Sequence, residues 1–451
     1  MRKNRKTIVF ITLFVLIFYA FALPVYAKPP SPEIQGSSAI LIDSATGKIL
    51  YEKNIHEKKY PASITKIMTA IIALENGTLD DILTAGPNAV FSIERGSSNI
   101  GILVGEQISL EELLIGLLVA SANEGANVIA EHIAGSIDEF IDLMNKRAKA
   151  LGANNTYFTN ANGLHNDNHY TTAYDMALIT RHAMTIPKFR ELVNIDYYEM
   201  QPTNKYKKIR YLSNTNHLIN SHRASRIHNY LYGPALGIKT GYTSKANHTL
   251  VAGAAKNDME FISVVLDAKL EGNRFYSYID TINLFKYGFE HFSVQTVVEP
   301  EAIIEEVAVA EAKDKERVIL LSDQHLQALL PNGIDIKNEI KKTPHILSPI
   351  KAPIEKGEVL GFVSYEHNGY NLGKINLVAG KNIEREPISI AKEKAVSIIT
   401  SLWFKILTAA LGVLLVLLLI FKIRKRKKRY GSRQMFGTKR PKIRIRRRRK
   451  W

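Results

Sequence analysis

The sequence predicts an α+β domain, a small mostly β domain after it, and a membrane-spanning helix near the C-terminus. Three observations carry this. Strand-like apolar runs stand at both ends of residues 28–290 with helical patterns between them. From about Phe292 the pattern changes to short β-branched runs broken by Pro and Gly. Ile406 to Phe421 is then apolar throughout, apart from Thr408 and Gly412.

The elements follow in order. After Lys28 to Ser37, where Pro29, Pro30 and Pro32 mark a loop, Ala39–Asp43 and Lys48–Tyr51 flank Ser44-Ala45-Thr46-Gly47 and read as a β-hairpin. From Ser63 to Leu74, Ile67, Met68, Ala70, Ile71 and Leu74 recur at helical spacing and predict a buried helix. Further helices are expected over Leu110–Ala134, Ile137–Leu151 and Ala173–Met184. Strands His248–Ala255 and Phe261–Leu266 follow, then a last helix over Arg274–Tyr287. In the small domain, expected over 291–391, the strand-like runs are Ala302–Val309, Val318–Leu321, Val359–Tyr365 and Lys374–Val378.

With 451 residues and 46% hydrophobic content, the chain is long enough for two folded domains plus extra segments. A formal charge of +17 raises nucleic acid as a partner, but the charge sits at the ends. From Lys422 to Trp451 there are seventeen Lys or Arg and no acid, and Arg2, Lys3, Arg5 and Lys6 open the chain. The body between is slightly acidic, so no nucleic-acid partner is expected.

The basic start, the apolar run Ile8–Leu23 and Val25-Tyr26-Ala27 read as a secretory signal over 1–27. The spanning helix is expected over 396–423, extending back toward Val396 with Lys405 snorkelling outward, and 424–451 forms the basic tail. Positive charge stays inside, so the body is expected outside the cell membrane, with the helix and tail meeting membrane lipid. There is no cysteine, which excludes a thiol nucleophile and a disulfide framework and suits a bacterial envelope.

The chemistry centres on Pro61-Ala62-Ser63-Ile64-Thr65-Lys66. Ser63 and Lys66, three apart at a helix start, share one face. A serine hydroxyl needs a base, and Lys66 serves only as the neutral amine, which requires burial and a second cation nearby; Lys239 is the candidate. Spacing alone is weak evidence, because Ser348-Pro349-Ile350-Lys351 repeats it and, taken singly, Ser63 reads better as an ordinary helix N-cap. Ser121-Ala122-Asn123 offers a proton relay and an orienting amide, although Ser97-Ser98-Asn99 also fits that pattern. Lys239-Thr240-Gly241 occurs once, just before a strand-like run. On a sheet edge it lets a substrate backbone add as a strand, with Gly241 removing the side chain that would block approach. His165 and His169 flank Asp167 in a turn-forming stretch, which does not supply helical metal-ligand geometry, so no metal or other cofactor is expected.

Ser-x-x-Lys, Ser-x-Asn and Lys-Thr-Gly in this order resemble the signature set of penicillin-binding proteins and serine β-lactamases. The flanking Ile42-Asp43, Thr46-Gly47-Lys48, Ile67-Met68-Thr69-Ala70, Gly116–Ser121 and Thr172–Ala177 are similar to low-molecular-mass D-alanyl-D-alanine carboxypeptidases, peptidase family S11, over Ala39–Phe289. Pro353–Gly357 extends a weaker similarity into the second domain.

The resemblance implies a transpeptidase-like fold of sheet and helical cluster. It also implies removal of the terminal D-alanine from the peptidoglycan stem peptide through an acyl-enzyme on Ser63. Ser63 and Tyr242 backbone N–H groups would form the oxyanion hole. Asn123, Lys239, Thr240 and Gly241 would bind substrate, Arg274 would help hold its carboxylate, and β-lactams would acylate the serine. Departures from the family pattern are Ala122 and Glu124-Gly125-Ala126 after the second serine, Asn247 where Gly is usual, and a spanning helix where many relatives carry an amphipathic one. The alternatives are a β-lactamase, for which no extra Glu motif is placed to activate water, and a catalytically weak penicillin-binding sensor or scaffold.

Overall fold

Ala39-Ile40-Leu41-Ile42 has no polar side chain on either face, which suits only a strand covered on both sides. In the computed structural model, which describes residues 30–221 and 230–431, strand β1 (Ser38–Asp43) is buried along its whole length. The signal segment expected at 1–27 and the tail beyond 431 lie outside the described residues.

β1 pairs antiparallel with β2 (Ile49–Lys53) around the expected turn, where the Asp43 carboxylate accepts the Thr46 backbone N–H at 2.8 Å and its hydroxyl at 2.5 Å. The sheet is completed from the far end of the domain by β3 (Ala235–Thr243), β4 (Asn247–Lys256) and β5 (Met259–Ala268), in the order β2-β1-β5-β4-β3. Lys239-Thr240-Gly241 therefore lies on an edge strand, as expected.

Alternation along β1 divides the core in two. Ile40 and Ile42 join a cluster with Ile67, Ile71 and Leu113 from the helices, and Ala39 and Leu41 join Phe261, Leu284 and Phe285 on the opposite face. The helical side contains α1 (Lys66–Asn76), α2 (Leu110–Val119), α3 (Asn123–Ala134), α4 (Ile137–Ala150) and α5 (Ala173–Ala183). The other face is covered by α6 (Tyr276–His291). A Cβ on Gly288 of α6 would lie 2.7 Å from the Phe261 ring, so the glycine lets helix and sheet approach.

Three boundaries differ from expectation. The helix expected from Ser63 begins at Lys66, after a 3₁₀ turn over Ala62–Thr65 that holds the serine; Ser63 is thus no helix N-cap. The single pattern Leu110–Ala134 breaks into α2 and α3, because Ser121 takes a left-handed φ of 63° and the Ala122 N–H turns back to the Gly116 carbonyl at 3.0 Å. Arg274 precedes α6, on a short strand paired with Leu270-Glu271.

The chain forms two compact units. The first runs to Val297 and includes Leu326–Lys341 and Tyr365–Leu372; the second comprises Val298–His325, Lys342–Ser364 and the chain from Gly373. Beyond Val298 the expected strands form as β6 (Ile303–Ala308), β7 (Arg317–Ser322), β9 (Val359–His367) and β10 (Tyr370–Ala379). The sheet order is β6-β7-β10-β9-β8, where β8 (Lys341–Ile346) is a strand not expected from its two lysines and proline.

Helix α7 (Pro387–Thr400) ends at Ser401, which turns extended with ψ 145°, and α8 (Leu402–Gly431) starts anew with the Ser401 hydroxyl accepting the Phe404 N–H at 3.2 Å. The long apolar helix thus begins at Leu402 and does not run back to Val396. Its segment Leu402–Lys427 has a mean hydropathy of 2.8 and is long enough to cross a membrane.

Ile71 is fully buried between α1 and the sheet. Ile71→Ala is expected to cost about 2–5 kcal/mol, read as a melting midpoint lowered by at least about 4 °C in the detergent-solubilised chain.

Candidate active site

Ser63 sits where three segments meet. Ala62, just before it, holds a left-handed φ of 53°, an unfavourable state for a residue with a Cβ. The turn is braced on every side. Thr65 Oγ1 donates to the Ala62 carbonyl at 2.8 Å, and Thr249 Oγ1 on β4 donates to the Pro61 carbonyl at 2.9 Å. Gly163, at φ 84°, packs so closely that a Cβ would lie 2.0 Å from the Ala62 carbonyl oxygen.

β3 approaches from the sheet side. A Cβ on Gly241 would stand 2.3 Å from Thr249 Oγ1 and 2.9 Å from the Ser63 nitrogen, so only glycine lets the strand lie against the turn.

Lys66 is fully buried on the first turn of α1. Its Nζ lies 3.0 Å from Ser63 Oγ, 2.6 Å from Asn123 Oδ1 and 2.5 Å from the Asn162 carbonyl oxygen. Burial holds its pKa well below the usual lysine value, the Lys239 charge lowers it further, and Glu124 partly opposes both. Lys239, also buried, is brought down to about 7 by burial.

As placed, Lys66 Nζ donates to all three oxygens. In the neutral amine the Asn123 amide oxygen and the Asn162 carbonyl, which only accept, keep the two N–H groups, and the lone pair is left for the Ser63 hydroxyl. The arrangement can withdraw a proton from Ser63.

Ser121, in the break between α2 and α3, lines one cavity of about 260 Å³ with Ser63, Thr240, Gly241 and Tyr242. Asn123, the first residue of α3, reaches Lys66 from the same break. Lys239 Nζ donates to the Thr240 carbonyl at 3.0 Å, and Thr240 Oγ1 shares a 2.7 Å hydrogen bond with Thr215 Oγ1. Tyr242 is exposed and stacks on His248, with centroids 4.6 Å apart. Arg274 stands apart: it is exposed and does not line the cavity, whereas its neighbour Phe275 does.

The duplicate motifs separate cleanly. Ser348 and Lys351 are exposed and lie outside any helix, with Lys351 3.6 Å from Glu311. Ser98, from the second Ser-x-Asn, does line the cavity, and its carbonyl accepts the Asn123 N–H at 3.0 Å. Glu124 Oε1 fixes the same loop by accepting the Ile100 N–H at 2.7 Å. His169 is engaged through both ring nitrogens, with Thr65 at 2.8 Å and Thr159 at 3.2 Å, and burial brings its pKa down to about 3. It braces the turn. Asn247 has φ 53°, a left-handed conformation that Asn adopts more readily than most residues with a Cβ, and its amide donates to Asp267 at 2.7 Å.

Sequence reasoning missed Asn162, Thr215 and Ser98. Asn162 acts through a backbone carbonyl, which leaves no side-chain signature, and Thr215 lies outside every motif. Ser98 is only the unspecified middle residue of Ser97-Ser98-Asn99, so the motif spacing carried no signal for it.

The five-stranded sheet packed between α6 and a helical cluster is the penicillin-binding transpeptidase fold. Penicillin binding protein 5 from Haemophilus influenzae superposes with a TM-score of 0.59 at 29% identity, covering 79% of this chain and all of that one. The D-alanyl-D-alanine carboxypeptidase family model, peptidase S11, matches residues 25–270, and that of the penicillin-binding protein 5 C-terminal domain matches 292–385. D-alanyl-D-alanine carboxypeptidase DacF of Bacillus subtilis is 32% identical across 78% of this chain and 86% of its own length. DacC of Escherichia coli is 32% identical across 82% and 90%. The chain belongs to the D-alanyl-D-alanine carboxypeptidase family S11, a family of serine carboxypeptidases.

Gly241→Ala is expected to push β3 away from the Ser63 turn and lower the rate of acylation by penicillin about a hundredfold. Stopped-flow or gel-based labelling with a fluorescent penicillin measures this.

Proposed function

We propose that this protein removes the terminal D-alanine from peptidoglycan stem peptides through an acyl-enzyme on Ser63, at the outer face of the cell membrane. The observation that carries the reading is the buried Lys66 amine 3.0 Å from Ser63 Oγ.

Ser63 Oγ attacks the carbonyl of the penultimate D-alanine, and its proton passes to Lys66 Nζ. The Ser63 and Tyr242 backbone N–H groups stabilise the oxyanion. The Ser121 hydroxyl relays a proton to the departing D-alanine nitrogen, the C–N bond breaks, and the ester remains on Ser63. Water then attacks the ester and frees the shortened peptide.

Lys239 and Thr240 attract the terminal carboxylate, Asn123 orients Lys66, and Gly241 admits the substrate backbone along the edge of β3. Arg274, which follows the family resemblance but does not line the cavity, is proposed to help hold the same carboxylate once substrate is bound. A β-lactam enters by the same route, because its carboxylate and acyl carbonyl present the same pair of groups.

For the whole chain, this reading takes 1–27 as a signal peptide, 28–290 as the catalytic domain, 291–391 as the small β domain, the helix from Leu402 to about Ile423 as the membrane-crossing region in place of the expected 396–423, and 424–451 as a cytoplasmic tail. The apolar segment Leu402–Lys427 and the basic run beginning at Lys422 support this orientation.

Mass spectrometry of the full chain after penicillin is expected to show one adduct, on Ser63, with D-alanine released from diacetyl-L-Lys-D-Ala-D-Ala. Ser63→Ala is expected to lose the adduct and at least about 10³-fold in turnover. An adduct on another residue would refute the assignment.

A further inference from the structure

Three of the segments that build the Ser63 site continue past it and enclose a second hollow of about 350 Å³. Tyr60 precedes the Pro61-Ala62-Ser63 turn, Lys245 and Ala246 lie in the turn after β3, and Tyr170 belongs to the loop that leaves Asn162. The Tyr60 ring meets His165 of that loop edge-on, with centroids 4.8 Å apart.

The charges in the hollow are unevenly matched. Asp267 is engaged by Lys59 at 3.1 Å, by Ser37 at 2.8 Å and by Asn247 at 2.7 Å. Lys59 also pairs with Glu57 at 2.9 Å, and the exposed Asp167, which also lines the hollow, hydrogen-bonds His165 at 3.2 Å and is neutralised by it only when that ring is protonated. Lys58 instead rests its ammonium 4.0 Å above the Tyr170 ring, and neither it nor Lys245 is ion-paired among the described residues. Two cations are therefore available beside two aromatic rings.

The course of β3 determines what reaches them. With the terminal carboxylate at Lys239 and Thr240 and the scissile carbonyl beside Gly241, a peptide on the free edge of β3 runs antiparallel to it. At about 3.3 Å per residue, the residues just upstream of the scissile bond are carried past Thr243 to the turn holding Lys245.

We infer that this hollow is a subsite for a free carboxylate carried by the stem peptide upstream of D-Ala-D-Ala, held by Lys58 and Lys245 with its methylenes against Tyr60 and Tyr170. The inference rests on the carboxypeptidase reading above and adds a preference for acidic stem peptides.

The test uses the full chain in detergent and two pentapeptides, L-Ala-γ-D-Glu-L-Lys-D-Ala-D-Ala and its analogue with the D-Glu α-carboxylate amidated. The quantity read is the ratio of their kcat/KM values for D-alanine release. The wild type is expected to favour the free acid about three- to tenfold, the scale of two solvent-exposed charge contacts. The ratio is expected to fall toward one in Lys58→Gln/Lys245→Gln and to invert in Lys245→Glu. Penicillin labelling of Ser63 reports that each variant is folded. A wild-type ratio of one, or a ratio unmoved in folded variants, overturns the subsite. Failure of the wild type to release D-alanine even from diacetyl-L-Lys-D-Ala-D-Ala overturns the underlying reading instead, and the subsite with it.

Discussion

Keeping an amine neutral beside a serine is the constraint on which the site depends. An ammonium in water holds its proton far above neutral pH and has no lone pair to offer. At Lys66 that is changed by removing water altogether, and by placing a second buried lysine, Lys239, within electrostatic reach. A buried amine would be costly if unpaired, so its hydrogens need partners. The Asn123 amide and the Asn162 carbonyl provide them, from two different segments. The break between α2 and α3 and the loop around Asn162 bring these two acceptors to the amine.

A second constraint is proximity. The Ser63 turn is squeezed between Gly163 on one side and Gly241 on the other, and a side chain at either would collide with backbone. The left-handed Ala62 that results is held by hydroxyls from Thr65 and Thr249 and, through Thr65, by His169. Strain beside Ser63 is thus supported by well-packed neighbours rather than relieved.

The layout of the sheet was legible in the sequence because its central strands are apolar without interruption, and the helices because their apolar periodicity is strong. Ser63, Lys66 and Lys239 were legible as an ordered set, although Ser-x-x-Lys taken singly recurs at Ser348 and Ser-x-Asn at Ser97, while Lys-Thr-Gly occurs once. The break at Ser121 was not. Ala120-Ser121-Ala122-Asn123 contains no glycine or proline, and the apolar period runs through it; tertiary packing overrides a sequence that is locally compatible with helix. The contributions of Asn162 and Thr215 were hidden because they depend on which segments meet, not on residue type. Arg274 shows the converse, a recognisable residue that stands at the rim while its neighbour Phe275 lines the cavity.

The central claim is that burial and the neighbouring Lys239 hold the Lys66 pKa well below the ordinary lysine value. An NMR titration of the full chain labelled with ¹³C at lysine Cε, with Lys66→Gln identifying the resonance, tests it directly. The account predicts a Lys66 midpoint well below 10.5 that rises in Lys239→Gln, since removing a neighbouring cation lets the proton be held to higher pH. A Lys66 midpoint at the ordinary lysine value would contradict it.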